Sequence, residues 1–309
     1  MSEAITLTIV FGFIVGFVYF LVWWSYQARE DRAAKVGLYL ILGAPGFLLL
    51  VAGAALSVRG HFDPLGLTLT MAAIGLLLPI SPRVRAPIAR LGGFSPADPL
   101  HMTGLGLFLG LLGYLSAQNI LLPAPDEVAD AGIGSIVVQE LFFVALALAC
   151  VGFGIARDWR QARVRLGIVR PTSAGVGAAL AVVVAGFFVA VVATAVTYAI
   201  DSGTSELIDQ NLETITGGHP TWIMAPVIGL SAGIAEELLF RGALQPRYGI
   251  FLTSLLFTAL HGQYGFSFVL VGLFGLSVLL GLLAKRFGTT HSIIAHTLYN
   301  TVSVLLSGL

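Results

Sequence analysis

Long apolar runs alternate with short polar segments along the whole chain. Ten apolar runs can be distinguished: Ala4–Trp24, Val36–Val58, Leu65–Ile80, Leu100–Leu122, Ser135–Ala156, Ala174–Ile200, Trp222 to about Arg247, Ile250 to about Gln263, Phe266–Ala284 and Thr289–Leu309. A membrane-spanning helix needs about 20 apolar residues. The pattern therefore predicts an all-α polytopic membrane protein with about ten transmembrane helices. The third and eighth are short, and each would be tilted, be re-entrant or thin the bilayer locally.

The composition agrees with this reading. Hydrophobic residues make up 57% of the 309 residues and charged residues 10%, whereas a soluble domain carries roughly 25% charged residues. The 16 basic residues are balanced by 16 acidic ones, so there is no basic surplus for a nucleic-acid partner. The single cysteine excludes an internal disulfide. We therefore expect a multi-pass protein in the lipid bilayer, and the Arg-rich, Lys-poor composition favours a prokaryotic plasma membrane.

The charges between the runs predict the orientation. If the N-terminus is outside, the loops on the cytoplasmic side contain every basic residue except Arg59, while the opposite side carries the acidic segments at 123–132 and 201–218. Basic residues concentrate in cytoplasmic loops, so the sequence predicts that both termini are outside.

A basic segment, Arg157–Arg170, divides the chain into two predicted domains. Residues 1–160 would form an accessory N-terminal transmembrane bundle, and residues 161–309 a C-terminal catalytic helical bundle. The N-terminal part has one acid within an apolar run, Glu140. It lies near the start of the fifth helix, where the helix dipole favours a structural acid.

The seventh run contains three charged residues in the segment IAEELLFRGALQPRYG. Charges inside a membrane span are costly and suggest a function. Glu237 and Arg241 are spaced i,i+4 and can pair on one helical face. Glu236 is rotated by about 100° from Glu237, and its i+4 position is Phe240. One acid is therefore neutralised, and the other keeps the freedom that a catalytic base needs.

The next polar pairs occur in FTALH, with Phe257 and His261, and in HTLYN, with His296 and Asn300. Each pair is spaced i,i+4 and shares a helical face. Glu236 and His261 are each 12 to 13 residues from a turn near 248–249, which is about 18 Å at the helical rise. His296 and Asn300 lie roughly 12 to 19 Å from the next turn along the chain. We expect four polar side chains from three helices to converge near the bilayer midplane.

These segments resemble the motifs of a known family. EELLFR resembles its EExxxR motif, FTALH its FxxxH motif and HTLYN its HxxxN motif. The segment RLGIVRP, before the sixth helix, also resembles the family's usual lead-in. The family is the CPBP family, the Abi/CAAX protease and bacteriocin-processing group that includes the type II CAAX prenyl endopeptidases. The resemblance covers about residues 164–307.

The resemblance implies a role for each matched residue. Glu236 would be the general base that activates water, and His261 would help to hold that water. His296 and Asn300 would stabilise the oxyanion. The supporting residues would be Glu237, Arg241 and Phe257. The substrate would be a membrane-associated protein or peptide, cleaved by an intramembrane protease.

Several alternatives remain open from the residues alone. Glu236, His261 and His296 could form a zinc triad. The chain has no HExxH motif, and Asn300 is a poor zinc ligand but a good oxyanion donor, so we expect glutamate-activated water without a metal cofactor. A transporter would also place charges at the midplane, and a non-catalytic scaffold or immunity protein could share the fold.

Overall fold

A computed structural model describes residues 2–58, 63–121, 133–200, 221–265 and 267–307. These residues form helices and no strand, and each of the ten predicted apolar runs coincides with a helix. Seven described helical stretches are long and apolar enough to cross a membrane: Ile5–Gln27, Arg32–Ser57, Pro99–Leu121, Ile133–Cys150, Ser173–Ile200, Thr221–Ala259 and Phe268–Phe287. The stretch Thr221–Ala259 is not one regular helix, because it contains a π-helical segment and a kink at Gly249.

A bent helix pair could supply an eighth span. Pro64–Ile80 and Pro82–Gly92 meet at 81°. The chain is an integral multi-pass membrane protein, while the count of ten spans and the orientation remain predictions. Arg59 and the acidic segments at 123–132 and 201–218, on which the orientation depends, lie outside the described residues.

The chain packs as two compact units that alternate along the sequence. Unit 1 comprises residues 1–18, 124–246 and 263–309, and unit 2 comprises residues 19–123 and 247–262. The first helix, α1 (Ser2–Gln27), begins in unit 1 and ends in unit 2. These units describe packing and do not test the predicted functional division at residue 160.

Unit 2 contains four complete helices and most of a fifth: α2 (Arg32–Ser57), α3 (Pro64–Leu77), α4 (Pro82–Gly92), α5 (Pro99–Leu121) and α10 (Gln245–Ala259). The sequence predicted a basic loop where α4 lies. Pro82 begins α4, since proline has no N–H to lose in the first turn of a helix. The buried Arg85 guanidinium donates to the Pro79 carbonyl at 2.9 Å, so this cation is used for packing.

Unit 1 contains the remaining helices: α6 (Ile133–Cys150), α7 (Trp159–Arg165), α8 (Ser173–Ile200), α9 (Thr221–Glu237), α11 (Phe268–Phe287) and α12 (Thr289–Ser307). A hydrophobic cluster of Ala179, Leu276, Leu280 and Ala295 joins α8, α11 and α12. In the same unit, α9 packs against both α12 and α6.

The seventh predicted helix is regular only in its first half. After Glu237 the chain forms a π-helical segment, Leu238–Leu244, and the Gln245 N–H donates to the Phe240 carbonyl five residues back. The prediction of one continuous α-helix over 222–247 is therefore wrong in its second half. The turn predicted near 248–249 is confirmed, because Gly249 has a φ of 78°.

Candidate active site

Two glycines on α9 allow α12 to approach closely. Gly229 and Gly233 are spaced i,i+4 on one face of α9. A Cβ atom at Gly233 would lie 2.8 Å from the backbone nitrogen of Thr297, and one at Gly229 would lie 2.9 Å from the Thr297 carbonyl oxygen. Small residues permit this kind of close helix packing in membranes. The backbones of α9 and α12 are therefore in contact at this level.

Glu237 continues the same face of α9 one turn further, and it joins two partners. Its Oε1 accepts a hydrogen bond from His296 Nδ1 at 2.9 Å, and its Oε2 lies 3.3 Å from Arg241 Nε. The ion pair predicted from the i,i+4 spacing is thus confirmed. Because an ionised carboxylate can only accept, the Nδ1 of His296 carries a proton, which fixes the orientation of the ring.

Arg241 extends this network to α11. Its guanidinium NH2 donates to the backbone carbonyl of Ser277 at 3.3 Å and to the Ser277 hydroxyl at 3.2 Å. Arg241 is 3% exposed and Glu237 is fully buried. A buried charge is tolerated when it is paired and hydrogen-bonded. Glu237 therefore links α9, the π segment and α12, and through Arg241 also α11.

The π segment is held from α7, which was not evident from the sequence. Arg165, the last residue of α7, donates to the carbonyls of Gly242 and Ala243 at 2.8 and 3.2 Å. A Cβ atom at Gly242 would lie 2.9 Å from the Leu166 carbonyl, so only glycine fits there without a shift. π-Helical turns often occur at functional sites, and this one is stabilised by contacts distant in sequence.

The lead-in segment RLGIVRP also positions the start of α12. The Thr289 N–H donates to the Gly167 carbonyl at 2.9 Å. The buried His291 ring accepts at Nε2 from the Thr172 N–H at 3.1 Å. The same lead-in thus contacts both segments that carry site residues, namely the π segment and α12.

Glu236 lies on a different face of α9 from Glu237. It is 8% exposed, and its Oε2 atom has no hydrogen-bond partner among the described residues. Its carboxyl group interacts electrostatically with Glu140, Glu237 and Arg241. Because Glu237 already pairs with Arg241 and with His296, Glu236 is the one of the two adjacent acids that is left for a ligand.

Glu140 is the eighth described residue of α6, and the helix dipole acts mainly within the first turn of a helix. Its structural role at the helix start stays a prediction. Glu140 is 6% exposed, and its Oε2 has no hydrogen-bond partner among the described residues. The sequence contained a signal for this residue, because an acid within an apolar run is costly and suggests a function.

Asn300 lies one helical turn beyond His296 on α12 and is partly buried. Its side-chain amide makes no hydrogen bond to another of the described residues. Unit 1 therefore brings together Glu236, Glu237, Arg241 and His296, with Asn300 on the same helix as His296.

His261 and Phe257 belong to unit 2. The α10 helix ends at Ala259, so His261 lies just beyond the helix and not on it as predicted. Its Nδ1 atom still donates to the Phe257 carbonyl at 2.8 Å, and the two rings are 4.8 Å apart. The Asn119 amide on α5 holds this end of α10 by donating to the Ala259 carbonyl at 2.9 Å. The convergence of His261 with Glu236 stays a prediction.

Among the described residues, no three His, Cys, Asp or Glu side chains are grouped so that they could hold a metal ion. The metal-free mechanism and the zinc alternative are both left to experiment.

The helices and the buried polar network define a multi-pass membrane protein with a polar site inside its helical core. Residues 218–302 match the family model of the type II CAAX prenyl endopeptidases, described as Rce1-like. The match supports a similarity to the CPBP/CAAX protease family, as predicted from the three motifs, and supports a hydrolase of the protease class. Comparison with curated proteins and with solved structures gives no match.

Proposed function

We propose that this protein is an intramembrane endopeptidase that cleaves a membrane-associated protein or peptide with a water molecule activated by Glu236. One observation carries the proposal. Glu236 is a buried acid with an unpartnered oxygen, next to a neutralised Glu237–Arg241 pair, inside the segment that matches a protease family. Buried unpartnered acids are expensive unless they serve a function.

The chemistry follows from the roles of these groups. Glu236 would take a proton from water while the water oxygen forms a bond to the scissile carbonyl carbon. The carbon–nitrogen bond would then break, and Glu236 would return the proton to the leaving amine. Water is consumed and two peptide ends are released. No redox partner or activated donor is required.

Four further side chains would assist this step. The Asn300 amide and a doubly protonated His296 would donate hydrogen bonds to the oxyanion. Glu237 would orient the His296 ring, as a carboxylate does in a catalytic triad. His261 donates its Nδ1 proton to the Phe257 carbonyl, so Nε2 of the neutral ring is an acceptor that can hold water.

The test uses the full-length protein in lipid nanodiscs and a library of membrane-anchored peptides, with and without a prenyl group. Wild type is compared with Glu236→Gln and with Glu30→Gln, which makes the same chemical change at an exposed position. We expect wild type and Glu30→Gln to release fragments that mass spectrometry can identify. Glu236→Gln should lose activity by about 10²-fold or more.

The other outcomes each select a different function. Full activity of Glu236→Gln would place the base elsewhere, and cleavage by none of the proteins would favour transport or binding. A reversible loss of wild-type activity on chelation, with one equivalent of bound zinc, would favour the metalloprotease alternative.

A further inference from the structure

Two buried acids from different helices of unit 1 each have a carboxyl oxygen without a hydrogen-bond partner among the described residues. Glu140 on α6 is 6% exposed and Glu236 on α9 is 8% exposed. The Oε2 atom of each has no hydrogen-bond partner among the described residues. Buried polar atoms almost always have a partner, so an apparent exception points to a bound water or ion. Here two such exceptions occur in groups that interact with each other electrostatically.

The packing of α6 places Glu140 on the side that faces the site. α6 contacts both α9 and the π segment. The Phe143 ring, three residues after Glu140, meets the Phe240 ring edge-on with centroids 6.5 Å apart. Ala147, seven residues after Glu140, is fully buried. The i, i+3, i+7 spacing puts these three residues on one helical face, which is the face that packs against α9 and the π segment.

The cation that interacts with Glu236 is already engaged elsewhere. Among the described residues, the electrostatic partners of Glu236 include Glu237, Arg241 and Tyr264 as well as Glu140. Arg241 is engaged by Glu237 and by Ser277. The first helix also contacts α6, through Phe11 and Phe142, and its residues 5–18 include no titratable side chain.

We infer that Glu140 and Glu236 together bind the water molecule that attacks the substrate, one carboxyl oxygen from each acid accepting one of the two hydrogen bonds that this water can donate, so that the Nε2 acceptor of His261 would hold a second water molecule. A buried water needs two to four polar partners, and this pair supplies two. The inference rests on the proposed function. It adds to the site a residue from α6, outside residues 218–302 and outside the three sequence motifs.

The decisive comparison is between Glu140→Leu and Gln139→Leu. Both replace a polar side chain of α6 by leucine, but Gln139 is exposed. We expect Glu140→Leu to lower kcat by about 10²-fold, because a misplaced nucleophile costs about that much, with KM within about twofold. Its melting temperature should not fall, since an apolar residue replaces a buried acid without a partner. Gln139→Leu should behave as wild type.

A conservative variant separates water binding from a purely structural role. The amide of Glu140→Gln can still bind water, so its kcat should stay within about tenfold of wild type. Four results would overturn the inference. The first two are full activity of Glu140→Leu, and a loss of kcat in that variant that occurs only together with a lower melting temperature. The other two are inactivity of Glu140→Gln equal to that of Glu236→Gln, and a loss of wild-type activity when choline replaces sodium in the buffer. If Glu236→Gln is itself active, the proposed function has failed, whatever the Glu140 variants show.

Discussion

The contact between α9 and α12 leads to a prediction about Gly233. In Gly233→Ala the new Cβ atom would lie 2.8 Å from the Thr297 backbone nitrogen and 3.0 Å from the Thr297 Cα. Atoms of this kind pack at about 3.5 Å or more, so the two helices must separate by roughly 0.7 Å. Truncating the Thr297 side chain cannot relieve this contact, because the backbone nitrogen and Cα would remain in place.

Moving α9 away from α12 would change the contacts of Glu237, which lies one turn from Gly233 on the same face of α9. Its hydrogen bond from His296 is 2.9 Å long, and a lengthening of about 0.7 Å would take it beyond hydrogen-bond range. A hydrogen bond to a charged group contributes about 1.5–3 kcal/mol. We therefore expect Gly233→Ala to lower the free energy of unfolding by that amount, and to lower kcat by about 10²-fold through the displaced histidine.

The assay measures thermal unfolding and peptide cleavage on the same nanodisc samples. Gly177→Ala is the matched control, because it makes the same change in a helix of unit 1 and its Cβ would meet nothing within 4 Å. This control should be as stable and as active as wild type. Equal stability and activity of the two variants would refute the argument that close packing of α9 and α12 sets the Glu237–His296 geometry.

Three other perturbations have defined outcomes. Glu237→Gln leaves Arg241 buried without its counter-charge, so thermal unfolding should show a loss of about 3–5 kcal/mol. Arg165→Ala removes two hydrogen bonds to the π segment and should cost about 1–3 kcal/mol by the same assay. Burial raises the pKa of Asp98, but the hydrogen bonds from Arg29 outweigh it and hold that pKa below its usual value of 3.8. The Arg29–Asp98 pair therefore stabilises the protein above the usual pKa of 3.8, and melting curves should show that this stabilisation is lost as the pH falls through the lower pKa of the folded state. In Asp98→Asn this contribution to stability should be absent at all pH values.

Each of these variants has its own check. Arg163→Ala, an exposed arginine of the same helix as Arg165, should leave stability unchanged. An unchanged melting temperature for Glu237→Gln would contradict the ion-pair assignment. A wild-type acid profile for Asp98→Asn would show that the Arg29 pair contributes nothing to stability.

The sequence alone determined the features that depend on neighbouring residues. The apolar runs predicted the positions of the helices, because lipid accepts only segments that satisfy their own backbone hydrogen bonds. The Glu237–Arg241 pair followed from helical spacing. The three motifs were sufficient to identify the family of the segment 218–302.

Tertiary structure decided the contacts between residues far apart in the chain. The π segment depends on Arg165, and the orientation of His296 depends on Glu237, 59 residues away. Glu140 lies in an apolar run of the sequence, and only the packing of α6 places it beside α9 and the π segment. A periodic pattern shows which face of a helix is apolar but not which helix covers it. The partners of Glu237 and Arg241 on other helices, His296 and Ser277, were therefore decided only by the packing.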